Sequence, residues 1–202
     1  VFFRNQPLGC TATIIYQMYK ENKVDVTPEI AGLLCSAILS DTLVYRSPTC
    51  TETDKAAAEE LAAIAGIKTQ DYAMEMFAAG SDLSSKSPEE IFYQDFKKFV
   101  VGEQTFGVGQ ITAMTGRELT AIKEKLIPYM QKAMAAHEVS MLFFMLTDIL
   151  QASTELLYYG SGARELALEA FHLPKDTETI IKNTVSRKKQ IIPAMMMALQ
   201  EE

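Results

Sequence analysis

The chain has 202 residues, 48% of them hydrophobic and 22% charged, and its formal net charge is −7. This composition excludes a disordered chain and suffices for one large folded domain or two small ones. An acidic balance also argues against a general nucleic-acid-binding protein, which needs a broad basic surface. The longest apolar run, residues 139–150, is too short to span a bilayer, so we expect neither a nucleic-acid nor a membrane partner.

The three cysteines, Cys10, Cys35 and Cys50, are odd in number and match no zinc-binding spacing. Such cysteines are typical of small buried residues in a reducing compartment, so we expect a cytoplasmic protein. The first residues, VFFRNQPLGC, lack the basic segment and the long apolar segment of a signal peptide. They have the pattern of the middle of a strand and do not begin with Met, so we expect a fragment of a longer protein.

Helical patterns dominate the first 80 residues. The segment GCTATIIYQMYKEN predicts a helix that starts near Thr11 or Thr13, with four large apolar residues on one face (Ile14, Ile15, Met18 and Tyr19). The segment TPEIAGLLCSAILSD predicts a second helix, capped by Thr27 and ended by Asp41. Its apolar residues cover most of its circumference, so we expect this helix to be buried.

Two further helices and a linker follow. The segment TCTETDKAAAEELAAIAG predicts a third helix, capped near Thr51 and stopped by Gly66, and TQDYAMEMFAAGS predicts a fourth. Residues 78–88, AAGSDLSSKSP, are small, polar and rich in serine, which is typical of a linker. Ser87 and Glu90 have the spacing of a capping box, so a new domain is predicted to begin there.

Strands and helices alternate in the second half. The segment KKFVVGEQTFGVGQITAM alternates like a β-hairpin with its turn at Gly102–Glu103, and TGRELTAIKEKLIPYMQKAMAAHE predicts a long helix. The segments VSMLFFMLTDIL and TELLYYGS predict strands, and SGARELALEAF predicts a helix. A last strand, KNTVSRKKQ, is predicted to leave through a basic turn into a terminal helix, IIPAMMMALQ. This alternation indicates the α/β class.

Asp41 is the first candidate for a chemical role. It follows an apolar helix, whose C-terminal end carries partial negative charge from unpaired carbonyl groups. A carboxylate at such a position is repelled unless a cation offsets it. Asp41 is therefore a solvated acid, the cap of a loop or a metal ligand, and the residues alone leave these interpretations open.

Three adjacent cations, Arg187, Lys188 and Lys189, form the second candidate. Apolar residues precede and follow them, so they are attached to a packed element. An arginine beside a lysine suits a phosphate, because one offers a planar fork of donors and the other a compact charge. The pattern fits either such an anion site or a solvated basic run.

Lys97 and Lys98 form the third candidate, at the start of a predicted strand. Alternation along a strand predicts that one of them points inward and the other to solvent. Two surface lysines at a strand edge are the alternative to a binding role.

Five segments of the sequence carry a resemblance through their order and spacing: PLGCTATIIYQMYKEN, IAGLLCSAILSDTLVYRSPTCTETD, AAGSDLS, TDIL and VSRKKQIIP. Together they resemble the family II inorganic pyrophosphatases of the DHH phosphoesterase superfamily, along essentially the whole chain. The pairing of SDTLVYRSPTCTETD with a distant SRKKQ is the most specific part of this resemblance.

The resemblance implies a domain organisation. Residues 1–80 would be the C-terminal part of a DHH-type catalytic domain, and residues 81–88 a hinge linker. Residues 89–202 would be a smaller α/β substrate-binding domain with a mixed sheet. Members of this family close the two domains over pyrophosphate, and they often pair through the catalytic domain, so a homodimer is expected of the complete enzyme.

The resemblance also implies an activity and its residues. Members of the family hydrolyse pyrophosphate to two phosphates with a hydroxide activated by two metal ions, manganese or cobalt, and with magnesium on the substrate. Asp41 corresponds to a metal-ligating aspartate of the family. Lys97, Arg187 and Lys188 correspond to the residues that bind the phosphates and assist catalysis, whereas Lys189 is expected to be a neighbour rather than a ligand.

The sequence also departs from the family pattern. The His-x-Asn-Pro-Asp-x-Asp segment, the Asp-His-His motif and the metal-bridging aspartate are absent, and we expect them upstream in a longer protein. Asp41 is then the one metal ligand present, and a lone carboxylate does not hold two metal ions, so we expect the isolated chain to be inactive. The alternatives are an exopolyphosphatase or other DHH phosphoesterase, distinguished by substrate length, and a non-catalytic anion-binding fragment.

Overall fold

The computed structural model describes residues 1, 3–80, 83, 85–102 and 104–201. The chain divides into two compact units, Val1–Gly80 and Ser81–Glu202. Three residues of the predicted linker (81, 82 and 84) and Glu103 of the predicted hairpin turn lie outside the described residues. Within the described ranges, no helix is long and apolar enough to cross a membrane.

The first unit contains the four predicted helices, α1 (Thr11–Glu21), α2 (Pro28–Asp41), α3 (Glu52–Ala65) and α4 (Thr69–Gly80). Side-chain caps explain where two of them begin. The Thr27 hydroxyl accepts a hydrogen bond from the backbone of the first turn of α2. Thr51 and Asp54 form a capping box at α3, which ends at Gly66 in the left-handed conformation that glycine adopts without strain.

The buried faces of the first two helices differ from the prediction. In α1 the buried residues are Ala12, Thr13 and Tyr16, rather than the face of larger apolar residues. In α2, which was predicted to be buried, Ile30 and Leu33 are exposed, the latter with 68% of its surface. The helices of this unit pack through small side chains, such as the alanines of α3, together with a few larger ones (Ile38, Leu39 and Leu61) that are fully buried. The other large apolar side chains of α2 therefore stay partly or largely exposed.

Buried Asp54 fastens the start of the chain to α3. Residues 1 and 3–10 do not form the strand predicted for this stretch, and the described part of the first unit contains no other strand to pair with their backbone. Instead, the Gly9 N–H donates to Asp54 Oδ2 (2.8 Å) and the Thr13 hydroxyl to Oδ1 (2.6 Å). Burial raises the pKa of Asp54, but hydrogen bonds from Thr13, Thr51 and Gly9 outweigh it, so the pKa lies below its usual value.

The second unit has an α/β fold with a mixed sheet, which confirms the predicted class. Its helices and strands in the described residues are α5 (Pro88–Tyr93), β1 (Phe96–Val101), β2 (Gln104–Ala113), α6 (Gly116–His137), β3 (Met141–Asp148), β4 (Ser153–Tyr159), α7 (Ala163–Ala170), β5 (Ile180–Lys182) and α8 (Ile192–Glu201). The strands lie in the order β1-β2-β3-β4-β5, with β2 and β3 parallel and the other neighbours antiparallel. The long helix α6 makes the crossover that a parallel pair requires.

Helices cover both faces of this sheet. One face packs against α5 and α6, and the other against α7 and α8. The central strand β3 is consequently buried from Met141 to Thr147. Beside it, a Cβ at Gly109 of β2 would lie 2.4 Å from the ring of Phe144, so the close approach of that ring requires glycine.

The predicted last strand does not extend beyond Lys182, whereas the predicted turn through the basic run is formed. β5 is short and ends just before Asn183, whose φ of 55° stops the extended backbone. The Ser186 hydroxyl then accepts a hydrogen bond from the Lys189 N–H (3.2 Å), and residues Arg187–Ile191 form one π-helical turn that leads into α8. We call Arg187–Ile191 the π turn; such turns are rare and frequently lie at functional sites.

Candidate functional site

Arg187 is the buried member of the basic run. Only 6% of its side chain is exposed. Its Nη1 donates to the backbone carbonyl oxygens of Asp95 (2.7 Å) and Val108 (3.1 Å), and its Nη2 donates to the Asp95 carboxylate (2.6 Å). These bonds fasten the π turn to β2 and to the segment that enters β1.

The segment before the π turn is held by Gln190. The side-chain oxygen of Gln190 accepts hydrogen bonds from the backbone N–H groups of Val185 (3.0 Å) and Ser186 (3.1 Å). Its side-chain nitrogen donates to the Asn183 carbonyl (2.6 Å). The two isoleucines that follow Gln190 are buried against the sheet, so the backbone is anchored on both sides of Lys188.

Lys97 lies on the edge strand β1, directly opposite Val108 of β2. Val108 is the residue whose carbonyl accepts from Arg187, so one strand pair joins the backbone of Lys97 to the buried arginine. Alternation along β1 places Lys97 on the same face as Phe99, which packs against the buried cluster that includes the two isoleucines after the basic run. Lys97 therefore lies on the sheet face that the π turn and α8 cover.

Lys97 and Lys98 are both exposed, so the prediction that one of them points inward is wrong. The reason is that β1 is an edge strand, where side chains on either face reach solvent. Lys98 lies on the opposite face from Lys97 and donates to the His137 carbonyl (2.5 Å) at the end of α6. Its ammonium group is thus engaged by the protein itself.

The structure brings Lys97, Arg187 and Lys188 onto neighbouring backbone segments of the second unit, and we call these three residues the basic cluster. Lys188 and its neighbour Lys189 are exposed. In the part of the chain that the structure describes, neither Lys97 nor Lys188 has an ion-pair partner. Two exposed ammonium groups beside a fixed guanidinium suit an anion with several charged oxygens.

Asp41 belongs to the first unit, where it ends α2 and is exposed. Burial, helped by a hydrogen bond with the Asp41 carboxylate, raises the pKa of the Cys10 thiol to about 12. A protonated thiol is a poor metal ligand. Among the described residues, no group of three or more His, Cys, Asp or Glu side chains is placed to hold a metal ion. These residues therefore do not fit a manganese site by themselves, since Asp41 offers a single carboxylate.

Asp95 is the residue that sequence reasoning missed. It lies two positions before Lys97 in the chain and 92 positions before Arg187, which it binds. The signal in the sequence was an acid two positions before a lysine pair, but nothing local shows that its partner is a distant arginine.

Comparison with known proteins shows which family this chain belongs to. Residues 74–198 match the DHHA2 domain family. Over its whole length the chain is 41% identical to the manganese-dependent inorganic pyrophosphatase of Methanothrix thermoacetophila and 39% identical to that of Bacillus subtilis. A crystal structure from Methanococcus jannaschii, provisionally assigned as a family II inorganic pyrophosphatase, matches 99% of this chain and 68% of its own, with 32% identity and a TM-score of 0.79. The chain belongs to the family II inorganic pyrophosphatases.

Membership of family II confirms the resemblance found in the sequence. The chain spans about 65% of the length of the Methanothrix and Bacillus relatives, so it corresponds to a part of them. The basic cluster lies inside the residues that match the DHHA2 domain, whereas Asp41 lies before them.

Proposed function

We propose that this chain is part of a manganese-dependent inorganic pyrophosphatase and that its basic cluster binds the phosphate groups of pyrophosphate. One observation carries the proposal: Arg187 donates to the carbonyl of Val108, the residue opposite Lys97. That bond joins two basic segments far apart in the sequence into one anion-binding surface. The names of the curated relatives support both the substrate and the metal.

The chemistry of the cluster fits such a substrate. Pyrophosphate presents several charged oxygens on two phosphate groups, and two exposed lysines together with one fixed arginine can contact more than one of them. Negative charge develops on the departing phosphate in the transition state. Hydrogen-bond donors that are already in position stabilise this charge without any reorganisation of the protein. They also hold the phosphorus atom in the orientation that an in-line displacement needs.

We propose Asp41 as one ligand of a metal site whose other ligands lie outside this chain. Two observations support this: the carboxylate is exposed at the end of α2, and the relatives contain about 35% of their length beyond the matched part. What this chain contributes is one carboxylate in the first unit and the substrate-binding cluster in the second.

The domain assignment is proposed on the same basis. Residues 1–80 would be the end of a DHH catalytic domain, residues 81–88 the linker, and residues 89–202 the substrate-binding domain. The division of the chain at Gly80 and the DHHA2 match over 74–198 support it. A homodimeric complete enzyme located in the cytoplasm, without nucleic-acid or membrane partners, completes the proposal.

The test is pyrophosphate hydrolysis with manganese, measured on this chain and on a fusion with the part of the Bacillus subtilis relative that it does not match. We expect turnover by the fusion and none by the chain alone, since the chain supplies only one metal ligand. In the fusion, Arg187→Ala or Lys188→Ala should lower kcat/KM by an amount equal to about 2 to 4 kcal/mol of transition-state binding.

Two results would contradict the proposal. Metal-dependent turnover by the chain alone would show that the metal site is complete without the unmatched part. An unchanged kcat/KM in both substituted fusions would remove the basic cluster from the reaction. The matched control is Lys189→Ala, which removes one exposed charge from the same turn and should change kcat/KM less than about threefold.

A further inference from the structure

Asp95 engages the end of the Arg187 guanidinium. The Asp95 backbone carbonyl accepts from Nη1 (2.7 Å) and its carboxylate from Nη2 (2.6 Å), so one residue holds both terminal nitrogens. The second hydrogen of Nη1 points to the Val108 carbonyl (3.1 Å). A planar group held at three points has one orientation, which a single ion pair would not enforce.

This arrangement leaves one edge of the guanidinium unused. The remaining donors, Nε–H and the second Nη2–H, lie side by side on that edge, and no described residue accepts from Nε. Within the described part, no buried side-chain nitrogen or oxygen lacks a hydrogen-bond partner, so solvent reaches the unpaired Nε. An edge with two parallel N–H groups matches two oxygens of one phosphate group.

The Asp95 charge also offsets the free-energy cost of burying the Arg187 guanidinium. A guanidinium with 6% exposure and no counter-charge would be costly to bury, and it would move toward solvent. The Asp95 side chain remains 36% exposed, so its carboxylate pairs with Arg187 and still contacts solvent. Asp95 pairs with the arginine, and no described acid forms an ion pair with Lys97 or Lys188.

We propose that Asp95 is a positioning residue: it holds Arg187 so that the Nε–Nη2 edge faces an incoming phosphate group between Lys97 and Lys188. This inference rests on the proposed function of the basic cluster. It assigns Asp95 no contact with the substrate. Its effect is exerted entirely through the orientation of the guanidinium.

Electrostatics and positioning predict opposite results for the removal of Asp95. If the carboxylate were only a nearby negative charge, Asp95→Ala would strengthen the binding of an anion. If it positions Arg187, Asp95→Ala should weaken the binding of magnesium pyrophosphate to the chain by about tenfold. Asp95→Asn should recover part of the loss, because the amide oxygen still accepts from Nη2.

The experiment is a titration of the chain with magnesium pyrophosphate, followed by NMR chemical shifts. The matched control is Glu155→Ala, which removes the same charge and breaks another partly exposed ion pair of the second unit, the pair with Lys123. It should leave the dissociation constant within about twofold of the unsubstituted value. The loss caused by Lys188→Ala should also shrink in the Asp95→Ala background, because Lys188 and the Arg187 that Asp95 positions would bind the same phosphate group.

Each outcome decides a different point. No binding by the unsubstituted chain would overturn the proposed function and the positioning role with it. Normal binding by the unsubstituted chain, with equal or tighter binding by Asp95→Ala, would overturn the positioning role alone. If Asp95→Ala does not fold, Asp95→Asn decides: about threefold weaker binding supports positioning, and equal or tighter binding contradicts it.

Discussion

Asp54 shows how a single residue stabilises the first unit. Its side chain is fully buried and accepts hydrogen bonds from the Gly9 N–H, from the Thr13 hydroxyl and from both the N–H and the hydroxyl of Thr51. It thereby connects the segment before α1, α1 itself and the start of α3. Gly9 fits this contact because it has no side chain, since a Cβ there would lie 3.0 Å from Asp54 Oδ2.

Replacing Asp54 with alanine should lower the free energy of unfolding by about 3 kcal/mol, since several buried donors lose their charged acceptor together. Urea denaturation followed by circular dichroism measures the change. Asp71→Ala, which removes an exposed acid from α4, is the control and should change the stability by less than about 0.5 kcal/mol. A loss below about 1 kcal/mol in Asp54→Ala would contradict the role assigned to these bonds.

The same residue gives the stability of the chain a pH dependence. Hydrogen bonds hold the folded-state pKa of Asp54 below its usual value, although burial acts in the opposite direction. Its stabilisation is therefore complete above the unfolded-state pKa of about 3.9 and is lost as the pH falls through the lower folded-state value. The urea midpoint should fall more steeply below about pH 4 in the natural chain than in Asp54→Asn. Parallel plots of urea midpoint against pH for the two proteins would show that Asp54 is not the source of this pH dependence.

The π turn is the element on which the candidate site depends. Gln190 holds the backbone before it through Val185, Ser186 and Asn183, and Arg187 holds it to β2. Each of these contacts is made by a polar side chain to the backbone, so the turn is defined by hydrogen bonds as much as by packing. Because the turn carries the exposed Lys188 and the buried Arg187, a change in the turn should alter ligand binding.

Gln190→Ala should therefore increase the amide hydrogen-exchange rates of Val185 and Ser186 by about tenfold or more, because both N–H groups lose their acceptor. Hydrogen exchange followed by NMR measures those two amides directly. Lys189→Ala is the control in the same turn and should leave both rates nearly unchanged. Equal exchange in the two variants would show that the backbone before the turn is held by other contacts.

Sequence patterns that depend on neighbouring residues predicted several helix starts of this chain correctly. They failed where contacts between distant residues determine the buried face or the backbone path. The caps at Thr27, Thr51 and Ser87 were recognisable because a capping side chain binds the backbone only a few residues away. The apolar stripe of α1 was not a guide to its buried face, since packing on neighbouring helices depends on small side chains elsewhere in the chain. The basic run was predicted as a turn, but the strand predicted before it does not extend beyond Lys182. The side chain of Gln190 fixes the backbone of that segment, and this contact leaves no sign in the apolar pattern.

At the scale of the whole molecule, the sequence identified the family but only part of the site. The spacing of SDTLVYRSPTCTETD and SRKKQ pointed to family II, which the relatives confirm. The roles of Lys97, Arg187, Lys188 and Asp41 remain predictions, and the structure adds that Arg187 is bonded internally while the two lysines are exposed. Asp95 could not be predicted, because its partner lies 92 positions away.

The most direct test of the account is the affinity of the chain for magnesium pyrophosphate, measured for the natural sequence, Lys97→Ala, Lys188→Ala and the control Lys189→Ala. The account predicts saturable binding that weakens by about tenfold or more in Lys97→Ala and Lys188→Ala and by less than about threefold in the control. Equal losses in all three variants would indicate a diffuse charge effect, and no loss in any of them would place the phosphate site elsewhere. Either result would contradict the basic cluster as the phosphate-binding site.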